Sequence, residues 1–378
     1  MSNEAAKRHV KFLDLSVQYQ SIKDEILPVV SDVLASTAYT DGPFVKAFEA
    51  EFAKAHSANY CLAVNNGTSA LHLVYMALGF GPGDEVIVPT NTFFATAEAV
   101  SLTGATPVFV DCCDGDYTID VQKIEAAITA HTKAIVPVHL YGQPADMDPI
   151  LAIAKKHGLE VVEDCAQAHL AQYKNRSVGS IGTAGCFSFY PGKNLGAYGE
   201  GGAVLTNNEA LYQKMLAIRA HGSFEKYHHD FVGHNFRMSG LQGGILSVKL
   251  KHLPKWTAAR QTVARQYFDL LKDVAGLILP VKRNDVSHVY HLFVVRVKNR
   301  LAFMNFLKEK GIDTGIHYPI PCHMQKAYQS LGYDDTDFPV SYGHADHLVS
   351  LPMYPELSKE EIAYVCNCIK NFFHTHSE

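Results

Sequence analysis

One lysine, Lys193, stands in the run GCFSFYPGKNLGAYGEGG, residues 185–202. A short apolar stretch precedes it, with the hydroxyl of Ser188 five residues upstream. The glycines at 192, 196, 199, 201 and 202 allow close backbone approach or positive φ. An amine held on such a turn can be a nucleophile toward a carbonyl. Three other clusters could serve it. Asn65-Asn66-Gly67-Thr68-Ser69 offers free N–H groups and hydroxyls where a helix begins, an anion site. Phe93 and Phe94 stand at a strand end and can form a stacking plate. In Glu163-Asp164-Cys165-Ala166-Gln167, Asp164 can face a protonated heterocycle nitrogen and Gln167 can donate to a phenolate oxygen. Taken singly, each has an ordinary explanation. Lys193 reads as a loop lysine, Thr68 or Ser69 as a helix cap, the phenylalanines as packing under a loop, and Asp164 as a turn cap.

Together the clusters amount to a phosphate cradle, an aromatic plate, a carboxylate and a lysine. Those parts can hold pyridoxal 5'-phosphate as a Schiff base, with Asp164 keeping the pyridine nitrogen protonated. Competing phosphate motifs fail. Gly192-Lys193 lacks the upstream glycine and downstream Ser/Thr of a P-loop, and no G-x-G-x-x-G follows a strand.

The elements that must position these groups follow from periodicity. Apolar runs at 60–64, 85–89, 106–110, 134–138, 160–163, 185–189 and 203–206 read as buried strands. Helical patterns at 69–78, 96–102, 120–130 and 148–157 alternate with them. The expected fold is α/β with a largely parallel open sheet, whose ligands collect at the carboxyl ends of its strands. Amphipathic helices are expected at 21–34 and from 43 onward. Beyond Thr206, helices are expected at 209–221, 239–272, 301–310 and 359–373, with a strand at 288–297. We read residues 1–250 as a large domain with an N-terminal arm and 251–378 as a small C-terminal α/β domain.

The 378 residues are 47% hydrophobic and 19% charged, with a net charge of -5 and no dense basic block. Nucleic acid and anionic membrane surfaces are therefore not expected partners. The polar N-terminus and the absence of a long apolar segment point to the cytoplasm. The eight cysteines form no CxxC pair, so neither a metal site nor a disulfide is expected.

Seven stretches carry a resemblance to a known family. They are TDGPFVKAFEAEFA (40–53), NNGTSAL (65–71), PTNTFFATAEA (89–99), EDCAQAH (163–169), SFYPGKNLGAYGEGGAV (188–204), GHNFRMSGLQGGIL (233–246) and HYPIPCHMQKAY (317–328). In this order, across essentially the whole chain, they resemble the DegT/StrS sugar-nucleotide aminotransferases. The resemblance implies the fold type I aminotransferase architecture and a homodimer with active sites at the subunit interface. It makes Lys193 the Schiff-base lysine, Asp164 the partner of the pyridine nitrogen and Gln167 the contact to the phenolic oxygen. Gly67, Thr68 and Ser188 would hold the phosphate, joined by Asn235 of the partner subunit, and Phe93 would stack on the ring. Tyr190, His317, Tyr318 and His323 are the implied contacts to the nucleotide sugar.

A sister branch of the family carries histidine at the lysine position and dehydrates its substrate. The lysine here implies transamination instead. YPGKNLGAYG, GHNFRM and GIHYPIPCH resemble members that move the amino group of L-glutamate to carbon 3 of a dTDP-3-keto-6-deoxyhexose. GEGG, where many such members have GDGG, keeps a UDP-3-keto sugar open, and a carbon-4 aminotransferase is the runner-up. Both configurations at carbon 4 of the sugar stay open. Products of the family go to surface polysaccharides such as lipopolysaccharide O-antigen, or to glycosylated natural products. A cofactor-binding regulator on the same fold is the non-enzyme alternative. It would carry a DNA-binding domain or lack the lysine, and neither feature is found.

Overall fold

The computed structural model describes residues 8–225 and 227–376. Residues 1–7 of the expected arm lie outside the described residues. Two helices lead in, α1 (Leu15–Ser36) and α2 (Gly42–Ala55). The sheet-forming region then runs β1 (Tyr60–Val64), α3 (Gly67–Leu78), β2 (Glu85–Pro89), α4 (Ala95–Leu102), β3 (Thr106–Val110), α5 (Val121–Ile124) and β4 (Thr132–Ile135). It continues through α6 (Met147–His157), β5 (Glu160–Asp164), the short β6 (Gln172–Tyr173) and β7 (Arg176–Ser177), then β8 (Ala184–Ser188) and β9 (Gly202–Thr206). Helices α7 (Glu209–Arg219) and α8 (Gly240–Leu271) follow. The remainder holds β10 (Leu277–Ile278), β11 (Val286–Ser287), β12 (Phe293–Val297), α9 (Arg300–Glu309), α10 (Pro339–Ala345), β13 (Leu348–Leu351) and α11 (Lys359–Thr375).

Seven strands form one sheet in the order β1-β9-β8-β5-β4-β2-β3. All its pairs are parallel except those made by β9, which runs antiparallel to both β1 and β8. Leu62, Val64, Val86, Val88, Val162 and Val204 lie under α3 and α4 on one face. Phe48, Phe52, Phe187 and Phe189 pack on the other face, so the strands are apolar on both sides. The carboxyl ends of β1, β2, β5 and β8 therefore share one edge. There the connections, freed from the ladder, can aim side chains at a ligand.

A smaller antiparallel sheet, β10-β12-β13, packs with α9 and α11 around Phe293, Phe303, Val349, Ile369 and Phe372. Helix α8 enters both cores. Its Leu246, Leu250 and Leu253 join the first, and its Val263, Ala264, Tyr267 and Leu271 join the second. The division read at residue 250 falls inside this helix. Val10, from the segment before α1, also belongs to the second core and pairs with Ile312.

The helix expected at 21–34 runs from Leu15 to Ser36, and three further elements differ in extent. The strand expected at 134–138 ends at Ile135, because Pro137 has no N–H to continue a ladder. The helix expected at 120–130 is one turn, Val121–Ile124, followed by a 3-10 turn at Glu125–Ala127. The strand expected at 288–297 starts only at Phe293. Before it, Tyr290 takes φ 45 and its N–H binds His288 Nδ1, while Arg260 takes up the carbonyls of Tyr290 and His291.

Candidate active site

Each strand end at the common edge contributes one group. β5 ends on Asp164, which is buried. Its Oδ2 accepts from Thr96 Oγ1 at 2.8 Å and its Oδ1 from the Ala166 N–H at 3.0 Å. A buried carboxylate needs such donors, and α4 supplies one of them. Gln167, three residues on, accepts from the Tyr141 N–H through Oε1 at 2.6 Å and donates from Nε2 to the Tyr318 hydroxyl at 3.0 Å.

β8 ends on Ser188, whose Oγ accepts from the Tyr190 N–H at 3.3 Å. β1 feeds into α3, capped by Asn66, which takes up the Ser69 N–H at 2.8 Å. The N–H groups of Gly67 and Thr68 open the first turn, where no intrahelical acceptor exists. A Cβ on Gly67 would lie 2.6 Å from the Ser188 Cβ and 3.2 Å from its Oγ. The turn and the hydroxyl thus face each other across a gap that only glycine leaves open.

Lys193 lies on the glycine-rich turn between β8 and β9, its N–H bonded to the Tyr190 carbonyl at 2.9 Å. Gly196 packs against the Pro191 backbone, and Asn194 Nδ2 anchors the turn to the Val289 carbonyl at 3.0 Å. Lys249 of α8 donates to the Gly196 carbonyl from below. Among the described residues, Lys193 Nζ has no hydrogen-bond or ion-pair partner. Desolvation draws its pKa down to about 8, against the opposing pull of Asp164. His317 lies close enough to feel that amine, and burial first, then Lys193, lowers its pKa to about 4.

The structure gathers Gly67, Thr68, Asp164, Gln167, Ser188 and Lys193 at the sheet edge. Phe93 is exposed, its ring 5.6 Å from that of Tyr318. Tyr190 is exposed beside the lysine turn. His317 binds Ser350 Oγ at 2.8 Å and stacks on Phe12. His323 stands apart. It is buried, with Nδ1 2.5 Å from Thr90 Oγ1 and its ring edge-on to Phe338. Asn235 is exposed on the segment between α7 and α8, where it bridges to Ala220. Sequence reasoning did not name Thr96, Tyr141, Asn194 or Lys249. Thr96 lies in the first turn of α4, and β4 separates its strand β2 from β5, so no local signal pointed to this contact.

This sheet, with a lysine, a buried carboxylate and an amide at its carboxyl edge, defines a pyridoxal-phosphate enzyme of fold type I. The residues fit that cofactor, with a glycine-walled cradle, an unpartnered amine and a buried carboxylate on one edge. Residues 20–370 match the DegT/DnrJ/EryC1/StrS aminotransferase family. The chain is 46% identical to dTDP-3-amino-3,6-dideoxy-alpha-D-galactopyranose transaminase of Aneurinibacillus thermoaerophilus, over 96% of this chain and 99% of that protein. It is 44% identical to UDP-N-acetyl-3-dehydro-alpha-D-glucosamine 3-aminotransferase of Acidithiobacillus ferrooxidans, over 97% and 98%. The crystal structure of S. venezuelae DesV, solved in complex with a ketimine intermediate, superposes with a TM-score of 0.94 at 41% identity, covering 96% of this chain and 98% of that one. The chain belongs to the DegT/DnrJ/EryC1/StrS aminotransferase family. It is a pyridoxal-phosphate-dependent sugar-nucleotide aminotransferase. Among the described residues, no helix is long and apolar enough to cross a membrane.

Proposed function

We propose that this enzyme moves the amino group of L-glutamate to carbon 3 of a dTDP-linked 3-keto-6-deoxyhexose. The observation that carries the reading is Lys193, an unpartnered amine with a pKa near 8, on the same edge as Asp164 and Gln167. It is supported by the names of the two relatives above, both of which place the amino group at carbon 3 of a nucleotide sugar.

In this reading Gly67, Thr68 and Ser188 hold the cofactor's phosphate together with Asn235 of the partner subunit, and Phe93 covers the ring. Bound pyridoxal phosphate supplies an electron sink. Asp164 keeps the ring nitrogen protonated, and Gln167 donates to the phenolic oxygen. Lys193 would hold the cofactor's aldehyde carbon and, as a free amine, would take up and return a proton at the substrate carbon. An ordinary lysine would be almost fully protonated at pH 8, whereas a pKa of about 8 leaves a large neutral fraction there. Tyr190, His317 and Tyr318 are the proposed sugar-nucleotide contacts, since Tyr190 is exposed beside the lysine turn and Tyr318 bonds Gln167. His323 acts behind them, by packing. We place the enzyme in the cytoplasm as a homodimer with shared sites. The loop between α7 and α8 supports the dimer, since it exposes Phe224, Phe231 and Val232 next to Asn235.

The test is the visible absorption spectrum before and after L-glutamate, followed by acceptor turnover. A yellow band that glutamate bleaches, with turnover of a dTDP-3-keto sugar above its 4-keto isomer, is the expected result. A band that glutamate leaves unchanged overturns the donor. Preference for a UDP-3-keto sugar would favour the second reading, which the 44% identical UDP-sugar relative supports.

A further inference from the structure

Behind Asp164, on the opposite face of β5, the Glu163 side chain is fully buried. It accepts four hydrogen bonds. Gly179 N–H at 2.8 Å and His139 Nε2 at 2.9 Å reach Oε2, while Ile181 N–H at 2.9 Å and Gly182 N–H at 2.7 Å reach Oε1. The other ring nitrogen of His139, Nδ1, accepts the Ala145 N–H at 3.0 Å, which places the ring proton on Nε2. Glu163, His139 and Cys165 bring donor atoms within 4.8 Å of one another, the spacing of a metal set. Both Glu163 oxygens and both His139 nitrogens are already taken by protein groups, so the cluster reads as a clamp.

The clamp holds the turn that follows His139. Its backbone N–H binds the Asp164 carbonyl at 3.0 Å, and two residues later Tyr141 adopts φ 58. A non-glycine residue stays in that region only where its surroundings hold it. The Tyr141 N–H then points at Gln167 Oε1, and its hydroxyl reaches the His317 carbonyl. With Oε1 engaged, the Gln167 amide has only Nε2 to present toward Tyr318 and the site.

We propose that His139 and Glu163 are positioning residues for the cofactor's oxygen contact. They hold the Tyr141 N–H, which fixes the flip of the Gln167 amide so that its donor faces the phenolic oxygen. This inference rests on the proposed Gln167 contact.

The test is a pH titration of the visible band of the enzyme loaded with pyridoxal phosphate, alongside thermal unfolding of each variant. Gln167→Leu is the reference, and removing its donor should displace the titration midpoint by roughly 0.5–1 pH unit. His139→Leu should shift the midpoint in the same direction, and the double variant no further than Gln167→Leu alone. His139→Gln keeps an Nε2 donor for Glu163 and should lie nearer wild type. If His139→Leu does not fold, Glu163→Gln carries the comparison, paired with Gln167→Leu, and should shift the midpoint in the same direction. A folded His139→Leu or Glu163→Gln that titrates as wild type, or shifts that add to that of Gln167→Leu, would overturn the inference. A wild-type titration of Gln167→Leu itself would overturn the Gln167 assignment and the inference with it.

Discussion

Thr96 Oγ1 donates to Asp164 Oδ2 at 2.8 Å across 68 positions of sequence. The bond joins the first turn of α4 to the end of β5, and Thr92 Oγ1 lies 2.8 Å behind Thr96 Oγ1. Hydrogen bonds to a charged group contribute roughly 1.5–3 kcal/mol. Thr96→Val should therefore loosen the hold on pyridoxal phosphate by about tenfold or more in equilibrium dialysis, while Thr96→Ser should hold it as wild type does. Equal affinity in the valine variant would show the bond to be idle.

Burial sets the Lys193 pKa at about 8 against an ordinary 10.5. Between those values the unfolded chain binds more protons than the folded one, so stability rises with pH across that window. Below about 8 the penalty is fully present. Lys193→Met should stabilise the cofactor-free protein by about 1–3 kcal/mol at pH 7, and the gain should fade toward pH 10.5. Denaturant midpoints at several pH values measure it, and a pH-independent difference would contradict the assigned shift.

The same amine must be neutral to attack. Capture of pyridoxal phosphate by the cofactor-free enzyme should quicken about tenfold per pH unit below 8 and level off above it. Lys193→Ala should fold, show no yellow band of covalently held cofactor, and turn nothing over. Wild-type turnover in that variant would remove Lys193 from the chemistry.

Gly67→Ala puts a methyl group 2.6 Å from the Ser188 Cβ. Overpacking of this kind costs about 1–3 kcal/mol, and here it also closes the cradle. Cofactor affinity should fall more than thermal stability does. Adding Ser188→Gly removes the nearest clashing atom and should restore part of the stability but not the affinity, since the hydroxyl is gone. Equal recovery of both would argue against a phosphate at this place.

The proposed sharing of sites between subunits can be tested by mixing. Lys193→Ala subunits, inactive alone, and Asn235→Ala subunits, weak alone, should regain about a quarter of wild-type sites when refolded together in equal amounts. Activity that never exceeds the sum of the separate variants would place Asn235 outside the partner's site.

The chain itself determined the sheet and the positions of its chemistry. Apolar strands of five residues, each followed by a polar turn and a helical stripe, set β1, β2 and β3 to within a residue, because a strand buried on both faces cannot carry polar side chains without partners. The placement of Lys193, Asp164, Gly67 and Ser188 at one sheet edge was legible for a related reason. Each stands at or just past a strand end, where polar groups leave the ladder, with glycines nearby. Only the tertiary structure decided which distant groups hold them. Thr96 reaches Asp164, Tyr141 orients Gln167, Lys249 braces Gly196, and Arg260 ends the strand before Phe293. It also buried His323 against Thr90 and Phe338, in a loop whose sequence suits a surface equally well. Periodicity records which face of an element is apolar. It carries no record of which side chain from another element meets a given polar atom, and that pairing is fixed only when the layers pack.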